Sequence, residues 1–248
     1  MNLHHTQAAP VALITGAARR IGAAIAQHLH QNHYNIIIQC HQSVDAAKAL
    51  AQSLNEQRAD GVLVLDVALS DKNALKRMMD DALSWQGRLD VLVNNAATFE
   101  STPLDAAFDA PWDDLFCINV QVPFWLSCLA RPYLEMTKGS IINITDIHAE
   151  KPLKNYSLYC QSKAALTMQT LSLAREFAPN IRVNAIAPGA ILWPEHQNKL
   201  LSSQQNAIIA HTLLKQHGDP FWIAQAVLAL LQNKFITGQI LKVDGGRF

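Results

Sequence analysis

Short apolar runs alternate with longer stretches of helical spacing along the whole chain, and this alternation limits the possible folds more than any single motif. Pro10–Thr15 (PVALIT) is the first apolar run; it ends at Gly16, and Arg20–Gln31 follows with helical spacing. Further runs that read as strands are Asn35–Cys40, Gly61–Val67, Leu89–Asn94, Gly139–Thr145, Ile181–Ala187 and Gln239–Val243. Between them lie segments that read as helices: Val44–Gln57, Asp71–Trp85, Trp112–Leu134, Tyr156–Phe177, Ser202–Gln216 and Pro220–Gln232. Strands separated by helices, without hairpin turns, predict an α/β fold whose parallel sheet is covered on both faces. No repeat, low-complexity tract or linker interrupts the 248 residues, so one domain over 1–248 is expected.

The balance of charges narrows the function. Half of the residues are hydrophobic, the formal net charge is zero, and no block of like charge occurs. Neither a nucleic-acid footprint nor an anionic-membrane patch fits that balance, so a small-molecule partner is expected. No apolar run reaches the roughly 18 residues that a membrane span needs. The opening MNLHHTQAAP has no apolar core of the kind a signal peptide carries and reads as a frayed tail. Cys40, Cys117, Cys128 and Cys160 show no C-x-x-C pairing and read as buried free thiols, which implies a reducing cytoplasm. Nothing points to a metal.

The turn after the first strand reads Thr15-Gly-Ala-Ala-Arg-Arg-Ile-Gly22. Free N–H groups at a helix start attract phosphate, and small residues let the backbone approach a pyrophosphate. Arg20 stands where a middle glycine is usual, offering a guanidinium to a phosphate or to a planar substrate. After the second strand comes Gln39-Cys40-His41-Gln42-Ser43, with no acid to bind a ribose 2′-hydroxyl. Arg19, His41 and Ser43 are plausible partners of a 2′-phosphate, which favours NADPH. Asp66-Val67 ends the third strand; its carboxylate can accept from an adenine amino group or cap the next helix. The fourth strand ends in Asn94-Asn95-Ala96-Ala97, where small residues let a loop lie against a nucleotide. Asn119 sits in an apolar helical stretch, where an unsatisfied amide costs about 1–3 kcal/mol. It therefore bonds backbone or anchors a water near Lys163. Pro123 is expected to perturb that helix.

Tyr159 and Lys163 lie one helical turn apart, so phenol and ammonium share a face. A nearby cation would draw the phenol, ordinarily near pKa 10, toward neutrality. Thirteen residues before Tyr159, just after an apolar run, Asp146 can hydrogen-bond a substrate that the tyrosine protonates.

In order and at suitable distances the chain carries TG-x-x-x-x-x-G, NNA, Asn119, Tyr159-x-x-x-Lys163, Pro188-Gly189 and Val243-Asp-Gly-Gly. Over essentially its whole length it resembles the short-chain dehydrogenase/reductase family. Within that family, TGAARRIG, Asp146 in place of the usual Ser, Phe99 after NNAAT, His41-Gln42-Ser43 and Ala190–Glu195 (AILWPE) are similar to pteridine reductases. The resemblance implies a Rossmann fold with a doubly wound seven-stranded parallel sheet, a small substrate flap at about 190–217, and a homotetramer. It implies catalysis by Tyr159 as proton donor, Lys163 on the nicotinamide ribose, Asn119 positioning a water, and Asp146 assisting Tyr159 while binding the pterin. Phe99 would stack on the pterin, with Arg20 and Trp193 also at the substrate. Cofactor contacts are implied for Thr15, Gly16, Arg19, Arg20, Ile21, His41, Ser43, Asp66, Val67, Asn95, Ala96, Ala97, Thr145, Tyr159, Lys163, Pro188 and Gly189. Gln42 replaces the Arg of the cofactor motif. The expected activity is NADPH-dependent reduction of a dihydropteridine (dihydrobiopterin, dihydromonapterin or dihydrofolate). A generic carbonyl reductase, for instance of 3-oxoacyl thioesters, and a cofactor-binding scaffold without catalysis are the alternatives.

Overall fold

The computed structural model describes residues 9–195 and 200–247. The opening tail through Ala8, positions 196–199 of the expected flap, and Phe248 lie outside the described residues. The seven strands are β1 (Val11–Ile14), β2 (Asn35–Cys40), β3 (Val62–Asp66), β4 (Val91–Asn94), β5 (Ser140–Ile144), β6 (Arg182–Pro188) and β7 (Ile240–Val243). They form one parallel sheet in the order β3-β2-β1-β4-β5-β6-β7. The chain thus starts in the middle, builds to one edge, and crosses back at β4 to build the other. Such a reversal opens a crevice at the carboxyl ends of β1 and β4, where ligands bind in sheets of this kind.

Every residue of β1, β2, β4 and β5 is buried. The pleat divides them between two cores. Ala12, Ile14, Ile36, Ile38, Val93, Ile142 and Ile144 face α1 (Arg20–Gln31), α2 (Val44–Gln57) and α8 (Pro220–Gln232). Val11, Leu13, Ile37, Leu92 and Ile141 face α3 (Lys72–Gln86), α5 (Val122–Thr137) and α6 (Ser157–Phe177). This two-sided burial explains why the strands read as unbroken apolar runs rather than alternating ones.

Two helix expectations need correction. The stretch Trp112–Leu134 is not one helix: α4 (Trp112–Phe116) passes into a single π-helical turn, Cys117–Gln121, and then into α5. Pro123 falls in the first turn of α5, where its missing N–H leaves no bond unmade. The perturbation expected from Pro123 is the break just before it. The second correction is at Ser202–Gln216, where α7 covers only Ser202–Ala210. Thr212 then pairs with Arg247 in an isolated antiparallel bridge. Other boundaries move by a residue or two. All four cysteines are free. Cys40 and Cys160 are buried as expected, whereas Cys117 is half-buried and Cys128 exposed on α5. Among the described residues no helix is long and apolar enough to cross a membrane.

Candidate active site

A cavity of about 920 Å³ follows the crevice from His41 to Leu153 and Tyr156. Its floor is the Gly-rich turn. Gly16 has φ +61°, and a Cβ there would lie 3.1 Å from Ala96 Cα, so glycine allows the two loops to meet. A Cβ on Gly22 would come within 2.5 Å of the Gly16 carbonyl oxygen. Arg20 also has positive φ, +57°, a conformation that costs a non-glycine residue about 1–2 kcal/mol.

Two buried side chains, Gln39 and Thr15, and the half-buried Asn95 hold this main chain in place. Gln39 accepts the Gly16 N–H at 2.8 Å and donates to the carbonyls of Cys40 at 3.0 Å and Val67 at 2.8 Å. Thr15 Oγ1 accepts the N–H groups of Asn95 and Ala96, each at 3.0 Å. Asn95 Nδ2 donates to the carbonyls of Thr15 at 2.8 Å and Gly16 at 3.1 Å. Thr15 therefore acts from beneath the cavity wall, while Gly16, Arg19, Arg20, Ile21, Asn95, Ala96 and Ala97 form it.

At the far end the wall is His41, Gln42 and Ser43, faced by Ala68–Ser70 rather than by Asp66 and Val67. The Asp66 carboxylate lies 3.6 Å from His41 Nδ1. It does not cap the next helix either: Asp71 does, accepting the Asn73 N–H at 2.8 Å. Val67 is tied to Gln39 and Cys40 through its main chain. Neither residue lines the wall, which is formed by the three residues that follow them.

At the near end Asp146 leaves β5 in extended backbone. Its Oδ1 accepts the His148 N–H at 2.8 Å, capping the short turn Ile147–Ala149, and its Oδ2 accepts the Tyr159 hydroxyl at 2.6 Å. Tyr159 and Lys163 are buried on α6. The ammonium of Lys163 donates to the Ile144 carbonyl at 2.9 Å and stands 5.8 Å from the centre of the Tyr159 ring. Burial pushes the Lys163 pKa down to about 8, against the pull of Asp146. Burial first, and then the Asp146 carboxylate, push the Tyr159 phenol well above its ordinary range. The expectation that Lys163 makes Tyr159 acidic is thus reversed in this structure. Burial acts first, Asp146 adds to it because it touches the phenol, and the ammonium is occupied by a carbonyl.

Asn119 sits in the π turn. It accepts the Thr98 N–H at 2.9 Å and donates to the Thr98 carbonyl and to Ser162 Oγ, both at 3.0 Å. The side chain makes the backbone bonds that one of the two sequence readings expects, and both of its N–H groups are engaged. Asn119 braces the loop that carries Phe99 against α6.

Phe99 stacks on Tyr156 at 4.5 Å and 14° and meets Tyr159 edge-on at 4.7 Å. Trp193 packs on His217 at 4.4 Å and lines the cavity, as do Thr145, Pro188 and Gly189. Arg20 reaches across to Glu195 Oε1 at 2.7 Å and the Trp193 carbonyl at 3.1 Å. Sequence reasoning missed Gln39, Tyr156, His148, Lys154 and Arg247 as parts of the site. Tyr156 was findable, being three residues before Tyr159 and hence on its helical face. The others carried no local signal.

The family model described as Enoyl-(Acyl carrier protein) reductase matches residues 16–247. The chain belongs to the short-chain dehydrogenase/reductase family. It is 34% identical over 243 residues to "Granaticin polyketide synthase putative ketoacyl reductase 2" of Streptomyces violaceoruber, covering 96% of each chain. It is 31% identical over 279 aligned positions to pteridine reductase 1 of Leishmania tarentolae, again covering 96% of each. With a 3-oxoacyl-(acyl-carrier-protein) reductase of Staphylococcus epidermidis it shares 32% over 244 residues, covering 96% of this chain and 98% of the relative. Like its relatives, this short-chain dehydrogenase/reductase is an oxidoreductase acting on a small molecule, and reductases of the family use NAD(P)H.

Proposed function

We propose that this protein is an NADPH-dependent reductase of dihydropteridines. The observation that carries the proposal is the 2.6 Å hydrogen bond from Tyr159 to Asp146. A carboxylate beside the proton donor accepts from the ring N–H and amino groups of a pterin. Beside a ketone it would face a developing alkoxide, and like charges there raise the barrier. Phe99 and Tyr156 supply a flat apolar wall that suits a heterocycle.

The turn fits a dinucleotide, since Gly16 and Ala96 leave bare backbone along the crevice and Arg19 stands beside it. Thr15, Gly16, Arg19, Ile21, Asn95, Ala96, Ala97, Thr145, Pro188 and Gly189 would hold it, with Lys163 at the ribose. When bound, the cofactor supplies the hydride. Tyr159 delivers its proton to the substrate ring nitrogen, and Asp146 holds the ring and keeps the phenol protonated until then. Asn119 keeps the Phe99 loop in register. NADPH is favoured over NADH because His41 and Ser43 line that end and, among the described residues, no acid does, Asp66 lying behind His41; Gln42 stands beside them.

The segment 190–217 acts as a substrate flap fastened to the turn by Arg20. Exposed Phe124 on α5 and Met168 and Leu171 on α6 offer an apolar face for assembly into a homotetramer. Four free thiols accord with a reducing cytoplasm.

The test is a substrate panel with NADPH and NADH in parallel, following nicotinamide absorbance. The proposal expects dihydrobiopterin to exceed acetoacetyl thioester by about 100-fold or more in kcat/KM. Faster reduction of the thioester would overturn it.

A further inference from the structure

We propose that the outer end of the cavity selects substrates whose ring carries an anionic side chain, held by Lys154 and Arg247. The proposal rests on the pteridine reading above and narrows it. Among the described residues, Arg19, Arg20, Lys154, Lys163 and Arg247 line the cavity against a single carboxylate, Asp146. Arg20 is engaged by Glu195, and Lys163 by the Ile144 carbonyl. Arg19 belongs to the Gly-rich turn, at the cofactor end. Neither the Lys154 ammonium nor the Arg247 guanidinium forms a hydrogen bond or ion pair among the described residues.

Both cations line the cavity, and the segments that carry them are fastened together. The Lys151 ammonium donates to the Arg247 carbonyl, and Arg247 also pairs with Thr212, so the segment next to the C-terminus is fastened to the loop that carries Lys154. That loop leads directly into the aromatic wall, since Tyr156, two residues on, stacks against Phe99. The site therefore has an acceptor, Asp146, for the ring and two uncompensated positive charges at the edge of the wall that covers it. Charges on the rim of a cleft with apolar walls focus the field and draw in ligands of the opposite sign. A pterin with a short neutral side chain leaves both cations unused. One with a carboxylate or phosphate on its side chain neutralises them.

The experiment compares kcat/KM for three dihydropteridines: dihydrobiopterin (neutral side chain), dihydrofolate (glutamyl carboxylates) and a dihydroneopterin phosphate ester. Each is measured with NADPH at about 50 and 300 mM salt, a range over which exposed charge interactions are screened strongly. The proposal expects an anionic substrate to outrun dihydrobiopterin and to lose that advantage in salt. Lys154→Ala and Arg247→Ala should each lower the anionic-to-neutral ratio about fivefold, as for a partly exposed charge pair. Whichever of dihydrofolate and the phosphate ester loses more identifies the anion. A ratio that neither substitution moves, or salt acting equally on all three substrates, would overturn the proposal while leaving the pteridine reading intact. Absence of any dihydropteridine turnover beside normal thioester reduction would overturn both.

Discussion

At the cofactor end of the cavity the wall is main chain held by buried side chains, whereas at the substrate end it is side chains gathered from separate stretches. Gln39, Thr15 and Asn95 fix the turn and the loop after β4 through seven hydrogen bonds, all of them to backbone. Asp146, Phe99, Tyr156 and Trp193 arrive from just after β5, the loop after β4, the start of α6 and the segment after β6. The first construction depends on the sheet and tolerates little change. The second can be altered one residue at a time without disturbing the strands. A fold used by relatives acting on ketoacyl and pteridine substrates is expected to divide its labour in this way.

The comparison can be broken most severely at Tyr159. Tyr159→Phe should cut kcat about 1,000-fold, within the range for a general acid, while cofactor binding measured by fluorescence stays within twofold. Retained turnover would mean that the near end has another proton donor. The next effect is at the far end. Gln39→Leu leaves the Gly16 N–H and the Val67 carbonyl without their partner, while the Cys40 carbonyl keeps the Val67 N–H; each buried group left unsatisfied costs about 1–3 kcal/mol. Urea unfolding should show a loss of roughly 3 kcal/mol together with a raised KM for the cofactor. An unchanged midpoint would contradict the claim that buried hydrogen bonds set this end.

A smaller effect appears in the pH profile. Lys163, with its pKa lowered to about 8, is charged below that pH and neutral above it. Tyr159, pushed the other way, keeps its proton throughout. At the ribose, the ammonium of Lys163 donates charge-assisted hydrogen bonds that a neutral amine weakens, so kcat/KM should fall as pH rises through about 8, by up to about tenfold per unit above it. A flat profile up to pH 10 would remove Lys163 from that role.

The order of strands and helices was legible because the sheet is buried on both faces, so each strand announces itself as an apolar run. The Tyr159–Lys163 pair, Asp146 and the Gly-rich turn were legible because their chemistry is local. The π turn at Cys117–Gln121 was legible only as a perturbation expected from Pro123, since a π turn keeps the apolar pattern of a helix. Gln39 looked like an ordinary strand residue, and two of its three bonds exist only once β1, β2 and the loop after β3 meet. Arg247 lies 93 residues beyond Lys154 in the chain, and only the tertiary fold joins them. The direction of the Tyr159 pKa was misjudged for a related reason. Helical spacing shows that Lys163 shares a face with the phenol, but not that the phenol is buried against Asp146 while the ammonium bonds the Ile144 carbonyl.

The most direct test replaces Asp146 by Ser and measures kcat/KM for dihydrobiopterin and acetoacetyl thioester with NADPH. Serine can still cap the Ile147–Ala149 turn, so the fold is kept. The ratio of pterin to thioester turnover should fall by about 100-fold, as when a site loses a buried polar partner for its substrate. A ratio unchanged within threefold would show that Asp146 does not choose the substrate, and the pteridine assignment would fail.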